Sequence, residues 1–78
     1  MEKEYMLSSL GEGAGCRVKE LCLDSLMKKR LSSLGLINGT HVVCLQKSFS
    51  GDPAAYLVRG AVIALRNKDS SKIAVIPE

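Results

Sequence analysis

Apolar residues recur at helical spacing in one segment of the chain, at Leu23, Leu26, Met27, Leu31 and Leu34. Side chains three and four positions apart lie on one face of a helix, so this segment is predicted to be a helix with an apolar face. Asp24 can accept an orphan backbone N–H as the N-cap, and Gly35 can adopt the left-handed conformation that often ends a helix. The pattern therefore predicts a helix that begins after Asp24 and ends at about Leu34, with Leu36 packing back against Leu31.

Short apolar or alternating runs in the rest of the chain are typical of strands. The predicted strands are residues 16–21, 40–47, 55–59, 61–65 and 73–76. Polar residues 66–71 are predicted to form one helical turn before the last strand. Four residues are expected to have structural roles at the boundaries, because they provide turns or lack an N–H donor: Gly35, Gly39, Pro53 and Gly60.

These elements predict a mainly β protein. The expected fold is a small SH3-like β-barrel of about five strands, with one inserted α-helix and a short helical turn before the last strand. Closure is an efficient solution for so few strands because it removes exposed edges. An OB-type barrel is the alternative, although its helix usually lies later in the strand order.

Size and composition limit what such a fold can do. The 78 residues are expected to form a single domain, 1–78, with a modest core. Hydrophobic residues make up 46% of the chain but aromatic residues only 4%, so the core is expected to consist of aliphatic side chains and to enclose no large active site. The net charge of +3 is well below that of a typical nucleic-acid-binding domain.

The chain carries no pattern of export or membrane insertion. Residues 1–4 have mixed charge and no apolar signal region follows them. The longest apolar run, Ala61–Leu65, is far too short to cross a bilayer. An odd number of cysteines, Cys16, Cys22 and Cys44, favours reduced thiols. We therefore expect a cytoplasmic protein that does not span a membrane.

Catalytic and metal-binding patterns are weak. The single histidine, His41, belongs to no Ser/His/Asp or Cys/His spacing typical of catalysis, and no carboxylate pair lies in an apolar context, so we expect neither an enzyme nor a bound cofactor. His41 and Cys44 are weak metal candidates, but they lie three apart on a predicted strand and hence on opposite faces. We expect no metal site, a solvated His41, and Cys22 and Cys44 as small apolar residues of the core. A weak Fe(II) or Zn(II) contact through His41, the thiols or Asp52 remains open.

An interaction module is the hypothesis that remains. No nucleic-acid binding is expected, since single-strand binders place aromatic platforms among their basic residues and this chain has few. Phe49, the only phenylalanine, lies in the polar loop 48–53. It either folds onto the core, which the sequence favours, or forms an exposed anchor. The predicted partner-binding residues are Lys28, Lys29, Phe49, Asp52, Arg59 and Arg66.

Several ordered segments together resemble a known family. Residues 30–40, 51–53, 59–66 and 73–75, with the lead-in 7–13, are similar to the FeoA family, the ferrous iron transport protein A domain. The resemblance covers nearly the whole chain. One departure is Ser70-Ser71, where the family usually has an alanine next to the aspartate, and it weakens the expectation of a helical turn there.

The resemblance implies an SH3-like barrel with a helical insertion and a small cytoplasmic accessory role in bacterial ferrous iron uptake. The implied partner is FeoB, the membrane permease with a cytoplasmic GTPase domain. Most matching positions have structural explanations, and Arg66 is the one least explained by packing. The resemblance therefore predicts a non-enzymatic protein that docks on the permease. A transition-metal sensing or delivery module is the alternative.

Overall fold

The computed structural model describes residues 3–78, so Met1 and Glu2 of the amino-terminal segment lie outside the described residues. The six strands are β1 (Tyr5–Met6), β2 (Gly15–Leu21), β3 (His41–Lys47), β4 (Ala54–Val58), β5 (Ala61–Leu65) and β6 (Ile73–Pro77). Two α-helices, α1 (Ser25–Ser33) and α2 (Asn67–Ser70), and a 3-10 turn, Leu7–Ser9, complete the chain. The expected mainly β architecture is confirmed, including the inserted helix and the helical turn before the last strand.

The strands form one antiparallel sheet in the order β1-β6-β2-β3-β4-β5. The two end strands, β1 and β5, are not joined by a ladder within residues 3–78. β1 was not predicted, because its two residues are too few to show an alternating pattern. It exists through its pairing of Tyr5 with Val75 and of Met6 with Ala74 on β6.

Both ends of α1 are stabilised as the sequence predicts. At the start, the Met27 N–H donates to Asp24 Oδ1 at 2.9 Å. At the end, Gly35 has a φ of +98°, and the Leu36 N–H donates to the Leu31 carbonyl oxygen at 2.9 Å. This pairing satisfies a carbonyl that the last turn would otherwise leave free, as in a Schellman motif.

The apolar stripe of α1 is only partly buried. Leu31 lies in the core, and Met27 packs against the core at its edge. Leu26 and Leu34 are 72% and 51% exposed, although the stripe includes both. The helix has nine residues, of which Leu31 alone is buried, so the flanks of the stripe remain in contact with solvent.

The core is formed mainly by side chains of the strands, with contributions from the 3-10 turn, α1 and the loops. It contains Leu7, Leu10, Cys16, Val18, Leu21, Leu31, Leu36, Val42, Cys44, Ala54, Tyr56, Val58, Leu65, Ile73 and Val75. The expectation that Cys22 belongs to it is wrong, whereas Cys44 is buried as expected. Cys22 follows the last residue of β2 and is exposed, with its Sγ donating to Glu20 Oε2 at 3.3 Å.

The β4–β5 turn needs left-handed backbone at two successive positions. Arg59 and Gly60 have φ values of +50° and +81° and form the whole connection between Val58 and Ala61. Two positive φ angles suit the right-handed twist of a two-residue hairpin. The other predicted boundary residues also lie between elements, since Gly39 precedes β3 and Pro53 directly precedes β4.

Candidate interaction surface

An open groove of about 580 Å³ lies between α1, β5 and α2. Its apolar lining comes from Met27 and Leu31 on α1, from Leu34 at the C-cap of α1, and from Ile63, Ala64 and Leu65 on β5. Leu34 and Ala64 are exposed and Ile63 is partly exposed, so the apolar floor is accessible to solvent. Accessible apolar side chains gathered in a concave surface are a common feature of sites for protein partners.

The rim of this groove is basic. Arg30, Arg66 and Lys68 line it, and Asp69 is the one acidic residue among the lining. All three cations are exposed. The two ion pairs found in the described part of the chain, Arg17 with Glu78 and His41 with Glu78, involve none of them. The groove therefore presents positive charge that no carboxylate within residues 3–78 pairs with.

Asp52 connects the loop 48–53 to one end of the groove. Its Oδ1 accepts a hydrogen bond from the Asn67 N–H at 3.0 Å, and Asn67 is the first residue of α2. A carboxylate at this place satisfies one of the free donors at a helix start. Arg66 occupies the N-cap position and is exposed. The structure thus gives Asp52 a structural role and leaves the Arg66 side chain in the groove lining.

Phe49 lies in an exposed loop. The favoured expectation that it folds onto the core is wrong, since its side chain is fully exposed. The loop is closed by its own hydrogen bonds, because the Ser48 N–H donates to the Pro53 carbonyl at 3.1 Å and the Gly51 N–H to the Ser48 carbonyl at 2.8 Å. These bonds use the backbone of the loop without drawing Phe49 inward.

Arg59 packs on the end of α1. A Cβ built on Gly35 would lie 2.7 Å from Arg59 Cδ, so the aliphatic part of this side chain crosses directly over Gly35. Lys28 and Lys29 are exposed on α1 but do not line the groove, which takes its helix cation from Arg30. Of the six predicted partner-binding residues, the groove contains only Arg66.

Sequence reasoning missed most of the groove. Leu34 was predicted only to lie on the apolar face of the helix, and Lys68 is not among the predicted contact residues. One feature of the sequence could have revealed the site. The apolar stripe on α1 contains more side chains than a nine-residue helix in so small a protein can bury. That surplus leaves apolar side chains beside the sheet, where a partner can cover them.

The metal candidates do not come together. His41 Nε2 lies 2.9 Å from Glu78 Oε1, and its side chain is 61% exposed, as expected for a solvated strand residue. The Cys44 side chain is buried. Within residues 3–78 no three side chains of the His, Cys, Asp and Glu types are grouped as metal ligands would be.

The thiols are held in their neutral form. Burial, with a smaller effect of the Glu78 charge, raises the pKa of Cys16 to about 11. Burial also raises the pKa of Cys44, and the hydrogen bond to Glu20 raises that of Cys22. A thiolate is the form that binds metals and attacks electrophiles, so none of the three cysteines is activated at neutral pH.

Neither helix in the described part of the chain has the length and apolar character needed to cross a membrane.

Comparison with known proteins identifies the family. The model of the FeoA domain matches residues 5–77, which is nearly the whole chain. The chain belongs to the FeoA domain family. A comparison with curated protein sequences gives no significant match.

Solved FeoA structures share the fold. The FeoA protein from Chlorobium tepidum is 26% identical, with a TM-score of 0.89 over 92% of this chain and 69% of that one. A FeoA-like protein from Clostridium acetobutylicum is 25% identical, with a TM-score of 0.87 over 99% of this chain and 90% of that one. FeoA from Stenotrophomonas maltophilia, a zinc complex described as an SH3 domain protein, is 24% identical, with a TM-score of 0.79 over 90% of this chain and 87% of that one. The expected SH3-like fold is confirmed.

Proposed function

We propose that this FeoA-domain protein is a non-enzymatic, cytoplasmic accessory of bacterial ferrous iron uptake that docks on a FeoB-type permease through the cytoplasmic GTPase domain. The family match over residues 5–77 carries the proposal. The description of the Stenotrophomonas maltophilia protein as a possible ferrous iron transport activating factor supports the same role.

The surface chemistry is consistent with binding a protein. The groove between α1, β5 and α2 combines accessible apolar side chains with basic ones that form no ion pair within residues 3–78, and the fully exposed Phe49 lies on a separate loop. Apolar contacts supply affinity, and charges around them supply orientation and rate of encounter. Lys28, Lys29, Arg59 and Asp52 remain proposed contacts outside the groove.

The proposed mechanism is differential binding. If this protein binds one nucleotide state of the GTPase more tightly than the other, it shifts the equilibrium toward that state by the ratio of the two affinities. No chemical step is required of the accessory protein itself. Its effect on transport follows from which nucleotide state it prefers.

A chemical-shift titration tests the proposal. The isotopically labelled protein is titrated with the purified cytoplasmic domain of the cognate permease, once with GDP and once with a non-hydrolysable GTP analogue. We expect shifts confined to one patch, with different affinities in the two states. The absence of shifts at high micromolar concentrations in both nucleotide states would contradict the proposal.

A further inference from the structure

One edge of β5 has no partner strand among residues 3–78. β5 pairs with β4 alone and is the last strand of the sheet. In an antiparallel ladder, residues alternate between bonding inward to the neighbour and pointing their N–H and C=O groups outward. The two-residue turn makes Val58 and Ala61 the first bonded pair, so Ile63 and Leu65 also bond to β4. Val62 and Ala64 therefore direct their backbone donors and acceptors away from the sheet.

The groove follows this free edge. Ile63, Ala64 and Leu65 line the groove, so it borders the carboxyl-terminal half of β5. Its opposite wall is α1, with Met27, Leu31 and Leu34. The outward backbone groups of Ala64 thus open onto this channel, and those of Val62 lie on the same strand just beyond its lining.

The edge lacks the features that usually block strand addition. No proline, charged residue or bulge occurs within Ala61–Leu65, and Val62 is 65% exposed. The cations Arg30, Arg66 and Lys68 surround the channel, with Asp69 as the single acidic group in its lining. An occupant that carries carboxylates would complement this charge.

We propose that β5 binds an extended, acidic segment of a partner protein as an additional strand. The backbone of the segment pairs with Val62 and Ala64. Its apolar side chains on one face pack on Met27, Leu34 and Ile63, and its carboxylates meet Arg66 and Lys68. Main-chain hydrogen bonds supply the affinity of such strand addition, and the pockets for alternate side chains supply the specificity.

The free edge favours an extended segment over a helix and over a second copy of this chain. A helix satisfies its own backbone groups internally and has none to offer Val62 and Ala64. β5 of a second copy contains no carboxylate, so its pairing with β5 would leave Arg66 and Lys68 without an acidic partner. The other sheet edge, β1, offers only two residues.

The inference goes beyond the proposed function, because it specifies the surface and the kind of segment whichever protein supplies it. The test therefore uses peptides rather than the permease. Short random peptides are selected from a display library on the immobilised protein. We expect the enriched sequences to alternate apolar and acidic residues. Failure to enrich any such peptide would overturn the inference, while binding of the permease domain would still uphold the proposed function.

Backbone pairing is tested by Val62→Pro with Val62→Ala as its control. Proline removes the outward N–H but no bond to β4, and it is tolerated on edge strands. We expect Val62→Pro to weaken peptide binding about tenfold or more relative to Val62→Ala, since hydrogen bonds and seating of the segment are both lost. Equal binding by the two variants would overturn strand addition.

Charge is tested without altering the edge. Lys68→Glu reverses one cation of the groove, and Lys19→Glu reverses an exposed cation on β2 that does not line it. We expect only Lys68→Glu to weaken binding of the selected acidic peptides, and the difference to shrink at high salt. Equal effects would overturn the assignment of the groove. A dimer in sedimentation that Val62→Pro disperses would instead identify a second copy as the occupant.

Discussion

β5 and β6 have the same length and nearly the same apolar composition, yet they lie in opposite environments. β6 reads Ile-Ala-Val-Ile-Pro, lies between β1 and β2, and buries Ile73, Ala74 and Val75. β5 reads Ala-Val-Ile-Ala-Leu, has a neighbouring strand on one side only in the described part of the chain, and leaves Val62 exposed. Apolar composition therefore does not determine burial in this sheet; the number of neighbouring strands does. The exposed apolar side chains of β5 are therefore accessible to a partner protein.

The largest expected effect is a difference in stability between these two strands. Ile73→Ala should cost about 2–5 kcal/mol of the free energy of unfolding, because it removes a fully buried side chain and leaves a cavity. Val62→Ala should change that free energy by less than about 0.5 kcal/mol, since the side chain is mostly exposed. Chemical denaturation of both variants measures the difference. Similar costs would show that the β5 edge is covered.

The next effect in size is a fall in the free energy of unfolding at alkaline pH. It arises from Cys16, which lies beside β6. Cys16 pairs with Pro77 of β6, and its pKa is raised from 9.0 to about 11. The folded state therefore binds the proton more tightly than the unfolded state. This contribution is complete below pH 9 and is lost as the pH rises toward 11, by about 2–3 kcal/mol.

Denaturation in the presence of a reductant, at several pH values from neutral to about 11, measures this loss. Cys16→Val, which keeps the volume and removes the thiol, should lose less stability over the same range. Cys22→Ser is the control, because Cys22 is exposed. Identical pH profiles for the wild type and Cys16→Val would contradict the role of Cys16.

A smaller effect is expected where α1 ends and forms one wall of the groove. Gly35→Ala should cost about 1–2 kcal/mol, because a Cβ is unfavourable in left-handed backbone. The new Cβ would also meet Arg59 Cδ. In the background of Arg59→Ala the contact is absent and only the backbone strain remains, so the cost should fall. A cost that is unchanged in that background would show that Arg59 moves aside freely.

The smallest effect concerns α2, the third wall of the groove. Asp52→Ala removes the acceptor of the Asn67 N–H and should cost about 0.5–1 kcal/mol. Asp52→Asn keeps an acceptor oxygen at the same place and should retain most of that stability. Denaturation of the two variants at neutral pH compares them, and an equally large loss in both would indicate that the charge, not the hydrogen bond, matters.

The sequence predicted the features that local chemistry determines. Asp24 caps α1, Gly35 ends it, and the turn at Gly60 separates β4 from β5, because each depends on the conformation of a few adjacent residues. The SH3-like fold was predicted through the family resemblance. The segments that carry this resemblance consist mostly of helix ends and turns, which local sequence determines.

The sequence did not predict what the neighbours in space determine. Cys22 and Phe49 are apolar residues whose exposure depends on where β2 and the loop 48–53 meet other elements. Likewise, Leu34 was predicted to lie on the apolar face of the helix, and only the position of α1 beside β5 makes it part of a groove. The six proposed contact residues were chosen by residue type, which does not indicate which of them share a surface.

Residue-specific hydrogen exchange tests the role of the β5 edge most directly. It is measured on the protein alone and in complex with the purified cytoplasmic domain of the permease. In the free protein, the amides of Ile63 and Leu65 should be protected and those of Val62 and Ala64 should exchange fast. In the complex, Val62 and Ala64 should slow about tenfold or more while β6 stays unchanged. Unchanged exchange at Val62 and Ala64, with protection gained elsewhere in the chain, would contradict docking at this edge.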